Sequence, residues 1–127
     1  MELCHDIFNE RIGLCVPSCS FCSDKTSILD MFHCFCNYIP NAYRSLEMHD
    51  LSALIAPRPL AVIAGELEPI FPIVGVRESY GVVERIYKTA NAADRCRLVV
   101  TPREHWWCED LVWGAINEET ERLGWKR

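Results

Sequence analysis

Apolar and polar positions fall into blocks along this chain, and the blocks predict an α/β order. Leu60 to Ala64 is a short, unbroken apolar run between turn-forming residues, Pro57 and Pro59 before it and Gly65 and Pro69 after it. Such a run reads as a strand buried on both faces of a parallel sheet. Two other runs read the same way, Ile12 to Val16, which Pro17 should stop, and Arg97 to Thr101, which Pro102 should end. Helical spacing shows between them. Gly75 to Ala90 carries Val76, Tyr80, Val83 and Tyr87 on one stripe with Ile86 beside it, and Glu109 to Leu123 places Leu111, Val112, Ala115, Ile116 and Leu123 inward, with Gly124 just past its end. Shorter helices are expected over Thr26 to Phe35, from the stripe Ile28, Leu29, Phe32 and Phe35, and over Leu51 to Ile55 with Asp50 as N-cap. Met1 to Asn9 reads as the end of a helix whose start is not in the pattern. Strand, helices, strand, helix, strand, helix is the signature of three parallel strands with crossover helices.

Composition narrows the function classes. At 127 residues the chain is one domain at most, or part of one. Half the residues are apolar and 24% are charged, which suits a packed core rather than disorder. A net charge of −5, with no basic run beyond Lys126-Arg127, argues against nucleic acid or an anionic membrane surface as partner. MELCHDIFNER does not read as a signal peptide and no apolar stretch is long enough to span a bilayer, so a cytoplasmic location is the expectation. The eight cysteines then read as thiols, chiefly buried and inert. Cys19-x-x-Cys22 with Cys34-x-Cys36 offers a zinc alternative, although the second spacing fits a zinc knuckle poorly. No cofactor is expected.

Candidate chemistry follows the second and third strands. Glu68 sits in the loop after the Leu60 run, and His105 in the loop after the Arg97 run. Open α/β sheets hold their ligands beyond the carboxyl ends of the strands, so a carboxylate and an imidazole would meet there. On local sequence alone Glu68 also reads as a solvated loop carboxylate. His105, beside Trp106 and Trp107, also reads as a packed structural residue, with the tryptophans themselves as packing. Cys108 is too close along the chain to His105 for a productive cysteine–histidine pair. Ser18, Ser20 and Ser23 follow the first strand without flanking glycines, and His33 and His49 read as structural or exposed.

The stretch NYIPN, then IAPRPLAVIAGELEPIFPIVGV, then EHWW before the last helix, is similar to the C-terminal half of an α/β-hydrolase. Within that superfamily it resembles the acetyl xylan esterase and dienelactone-hydrolase-like group, over about Glu10 to Trp125. The resemblance implies a partial α/β-hydrolase fold over residues 1–127. It implies a carboxylic (acetyl) ester hydrolase with a Ser-His-acid mechanism and a small acyl-ester substrate. It places Glu68 on the triad acid, usually aspartate, and His105 on the triad histidine, with Glu104 where glycine is common. The G-x-S-x-G nucleophile elbow is absent from the sequence, and the resemblance puts it upstream of Met1, together with the oxyanion-hole donors. Lacking them, the chain alone is expected to be inactive. It is expected to be a truncated piece of a longer product or to cover its open sheet edge with a partner, for instance a second copy. The alternative function is a non-catalytic remnant that binds or oligomerises.

Overall fold

A computed structural model describes residues 7–125. Its centre is a parallel pair, β1 (Leu60–Gly65) and β2 (Cys96–Thr101), in register from Leu60 opposite Cys96 to Gly65 opposite Thr101. Every residue of β1 is buried, as a strand with neighbours on both sides should be, while β2 is half-buried until Thr101. Leu60, Val62 and Ala64 share a core cluster with Val76, Tyr80, Val83 and Tyr87. Ala61 and Ile63 point the other way by the strand's two-residue alternation and are equally buried.

The third expected strand is present as an extended segment alongside β1. Cys15 and Ser18 form isolated parallel bridges to Leu60 and Ile63. The hydrogen bonds explain why no longer ladder forms. Cys15 N–H donates to the Pro59 carbonyl at 3.0 Å, Ala61 N–H to Cys15 at 2.9 Å, Ile63 N–H to Pro17 at 2.9 Å and Cys19 N–H to Ile63 at 2.9 Å. The missing rung is the one Pro17 cannot donate. Pro17 therefore interrupts the pairing without stopping it, contrary to the sequence expectation, and carries it on to Cys19.

Around the strands lie the helices α1 (Met48–Ala53), α2 (Ile73–Thr89) and α3 (Glu109–Arg122). The crossover α2 matches its predicted stripe residue for residue, with Val76, Tyr80, Val83 and Tyr87 all buried. It packs against α1 and the strands, and α3 packs against both strands. The inner face of α3 is Val112, Ala115 and Glu119, not the expected Leu111, which is exposed. Glu119 is held there by Arg122 at 2.6 Å and Arg97 at 3.5 Å. In α1 the cap is Glu47, and Asp50 stands three positions in, its carboxylate accepting the Glu47 N–H at 2.9 Å. Asp50 thus serves the helix start without being the N-cap.

The expected helix over Thr26 to Phe35 is not formed. Short 3-10 turns at Asp24–Thr26 and Phe35–Asn37 bracket that stretch, and a third follows at Ala42–Arg44. Of the proposed stripe only Ile28 is buried, while Phe32 and Phe35 are 81% and 82% exposed. An amphipathic pattern yields a stable helix only if its apolar side finds a core, and here Ser27 and His33 are held inward along with Ile28. The Ser27 hydroxyl donates to the Ile70 carbonyl at 2.7 Å and lies 3.3 Å from His33 Nε2. The expectation for Met1 to Asn9 falls mostly outside the described residues; Ile7 and Phe8 are helical.

The Pro-Arg-Pro approach to β1 is a turn with a cis Ala56–Pro57 bond, as its turn-forming prolines suggest. Arg58 donates from its guanidinium to the carbonyls of Asn9 and Ile12, both at 3.1 Å, and its own carbonyl accepts the Tyr87 hydroxyl at 2.7 Å. One residue so ties the chain's first described segment to β1 and α2.

Candidate functional site

The carboxyl ends of the segment at Cys15–Cys19, of β1 and of β2 lie side by side, because all three run parallel. Each feeds a loop that carries one reactive side chain: Cys19, Glu68 and His105. Their ligand atoms lie within 4.8 Å of one another.

Glu68 and His105 are joined directly. His105 Nδ1 stands 2.6 Å from Glu68 Oε2. The second carboxylate oxygen, Oε1, accepts the Ile70 N–H at 2.9 Å, and the residue is 4% exposed. Glu68 is therefore neither solvated nor free to turn. Its burial contrasts with the histidine side chain, which is 51% exposed and leaves the other ring nitrogen free to meet a ligand. Phe71 stacks on the His105 ring at 6.2 Å and 23° and meets His33 edge-on at 5.5 Å, so the ring is braced from one side.

The loop that carries His105 is held close by Gly65. Leu67 N–H donates to the Arg103 carbonyl at 3.0 Å. A Cβ on Gly65 would fall on the carbonyl oxygens of Arg103 and Glu104. The glycine is needed here for close backbone approach, which brings the two loops within reach of one hydrogen bond.

Cys19 is the residue that sequence reasoning missed. It is buried, its backbone is left-handed at φ 46°, and its sulfur lies within 4.8 Å of the Glu68 carboxylate. Burial, then the negative charge of Glu68 and hydrogen bonding to it, push the thiol above its ordinary pKa. Such a group stays a protonated donor rather than a nucleophile. The signal was available: Cys19 follows the first strand just as Glu68 and His105 follow theirs.

The other candidates separate from the site. Cys19 and Cys22 are buried while Cys34 and Cys36 are exposed, so these four thiols do not assemble the zinc arrangement their spacing suggested, and the latter pair is not buried as expected. Cys108 lies outside the Cys19, Glu68 and His105 group. The Ser20 hydroxyl is buried without a hydrogen-bond partner, and no serine among the described residues bonds to His105. His33 is buried and structural, in line with its reading. Trp106 and Trp107 do not pack inward. Trp106 is 70% exposed, and both line an open cavity of about 610 Å³ with Leu67, Arg103 and Glu104, next to His105.

No protein-family model matches the chain. A curated protein named as a hydrolase, YtaP of Bacillus subtilis, is 31% identical over 101 residues, which is 76% of this chain and 33% of the relative. Two solved structures share the fold. A carbohydrate esterase family 15 glucuronoyl esterase from Caldicellulosiruptor kristjansonii has a TM-score of 0.77 at 19% identity, over 99% of this chain and 41% of that one. The glucuronoyl esterase from Sporotrichum thermophile, solved with methyl 4-O-methyl-beta-D-glucopyranuronate, has a TM-score of 0.69 at 16% identity, over 99% and 41%. The chain spans about a third of the curated relative and two-fifths of each esterase. It carries a partial α/β-hydrolase fold, and the proteins it resembles are hydrolases and esterases.

Proposed function

We propose that this chain supplies the acid–base half of a serine-dependent carboxylic ester hydrolase, with Glu68 as the acid and His105 as the base, and that the serine and oxyanion hole come from residues outside it. One observation carries the reading: a buried, doubly bonded carboxylate fixes one ring nitrogen of an exposed histidine at the carboxyl edge of a parallel sheet. In that role Glu68 accepts the Nδ1–H and so sets the tautomer. The Nε2 lone pair then takes the proton of the attacking serine and returns it to the leaving alcohol, while Glu68 stabilises the imidazolium formed between the two steps. The substrate class is a small acyl ester, an acetylated sugar being the form its sequence resemblance favours. The names of its structural neighbours support a carbohydrate-linked ester.

The direct test is ester hydrolysis by the chain extended with its native upstream sequence. Glu68→Gln keeps the size of the side chain but loses the charge, and kcat/KM should fall roughly 100- to 10,000-fold. An unchanged rate in that variant would remove Glu68 from the mechanism. A second reading, a binding or self-associating module, is favoured by the exposed Phe8, Phe32 and Phe35. A stable oligomer of the chain, with no hydrolysis once the upstream sequence is restored, would select it.

A further inference from the structure

The three side chains at the strand ends are also a set of soft and borderline metal ligands, and they are already gathered. We propose that Cys19, Glu68 and His105 bind a thiophilic divalent cation of the zinc type, and that this cation competes with the His105–Glu68 hydrogen bond. Thiolate, imidazole and carboxylate are the ligand types zinc takes, and three protein ligands leave a fourth position for water. Bonds of about 2.0–2.3 Å put tetrahedral ligands roughly 3.3–3.8 Å apart. The ligand atoms here lie within 4.8 Å of one another, so the wider separations close by about an ångström, while the His105–Glu68 pair, now 2.6 Å apart, opens to admit the cation.

The site is built on fixed parts. Cys19 is held in its left-handed backbone by the bond from its N–H to Ile63 at 2.9 Å. Glu68 is anchored through Oε1 by the Ile70 N–H at 2.9 Å. His105 is exposed and gives the cation its path in from solvent. Binding breaks the S–H bond of Cys19, with the proton released to water, and the sulfur lone pair forms the new bond to the metal. The same cation draws on the Glu68 carboxylate that now accepts from His105. Metal and proton relay therefore exclude each other. The inhibitory consequence rests on the acid–base reading above; the metal site does not.

Cadmium is the probe, because thiolate coordination gives it a charge-transfer band in the ultraviolet. The purified chain should take up one equivalent with the band, and zinc should displace it. The band should persist when the exposed Cys34 and Cys36 are both replaced by serine, and vanish in Cys19→Ser. Affinity should fall about 100-fold or more in His105→Asn, since even outer-sphere partners cost 10- to 100-fold. A full band in Cys19→Ser, loss of the band with Cys34 and Cys36, or unchanged affinity in His105→Asn would overturn the proposal. His105 is exposed, so its variant keeps the test decisive even if Cys19→Ser does not fold. No ester turnover enters this readout, so failure of the hydrolase reading would leave it untouched, and its own failure would leave hydrolysis untouched.

Discussion

At the scale of the residue, the site depends on burial that differs sharply between partners. Glu68 is buried and His105 is half-exposed, so the carboxylate is a fixed post and the imidazole is the partner that solvent reaches. Asp24 shows the opposite use of burial. Desolvation, then the nearby Glu47 charge, raise its carboxyl from 3.8 to about 6, with His49 pulling the other way. A folded-state pKa above the unfolded one means the protonated form is favoured by folding. Its contribution is present in full below the unfolded pKa and is lost as pH rises through about 6. Asp24→Asn should remove that dependence. Its thermal stability relative to wild type should be lowest near pH 4 and rise toward neutrality, as measured by melting across that range. Parallel melting curves for the two proteins would contradict this assignment.

At the scale of the element, two contacts decide where the loops go. Gly65→Ala must push the carbonyls of Arg103 and Glu104 away, and those precede His105 directly. The variant should lose about 1–3 kcal/mol of stability. It should also weaken the Nδ1 hydrogen bond, read by NMR as loss of the downfield His105 ring proton. A retained proton signal would show that the loop tolerates a side chain. Tyr87→Phe removes the hydroxyl that satisfies the Arg58 carbonyl, and should cost about 0.5–1.5 kcal/mol in denaturant unfolding. The elements themselves were legible where apolar period and burial agree. The stripe on α2 and the run in β1 declare themselves because a core lies on the side they face. The stripe Ile28, Leu29, Phe32 and Phe35 has the same period, but among the described residues only Ile28 is buried, and period alone cannot reveal that. Pro17 was misread for a related reason. A proline costs one rung on one side of a strand, and only the register shows that the remaining bonds survive.

At the scale of the whole molecule, the fold is a portion of an α/β-hydrolase with its surfaces only partly covered. None of the helices among the described residues is long and apolar enough to cross a membrane. Phe8, Leu29, Phe32 and Phe35 stay exposed. Apolar side chains this exposed favour association. The chain alone should bind a hydrophobic dye and elute with a concentration-dependent size, and Phe32→Ser with Phe35→Ser should reduce both. A dye-silent monomer would contradict this. Glu68 and His105 are legible because a motif register places them; the motif that names Cys19 pairs it with Cys22, and only its place after the first of three parallel strands joins it to the other two.

In the function proposed for this chain, Glu68 and His105 serve a serine supplied from outside it. A fluorophosphonate that labels activated serines tests it most directly, applied to the chain alone and to the chain with its native upstream sequence. The folded chain alone should not be labelled, and the extended protein should be labelled strongly, in a manner that His105→Ala abolishes. Labelling of the chain alone that depends on His105 would contradict it, and would place the nucleophile among these residues.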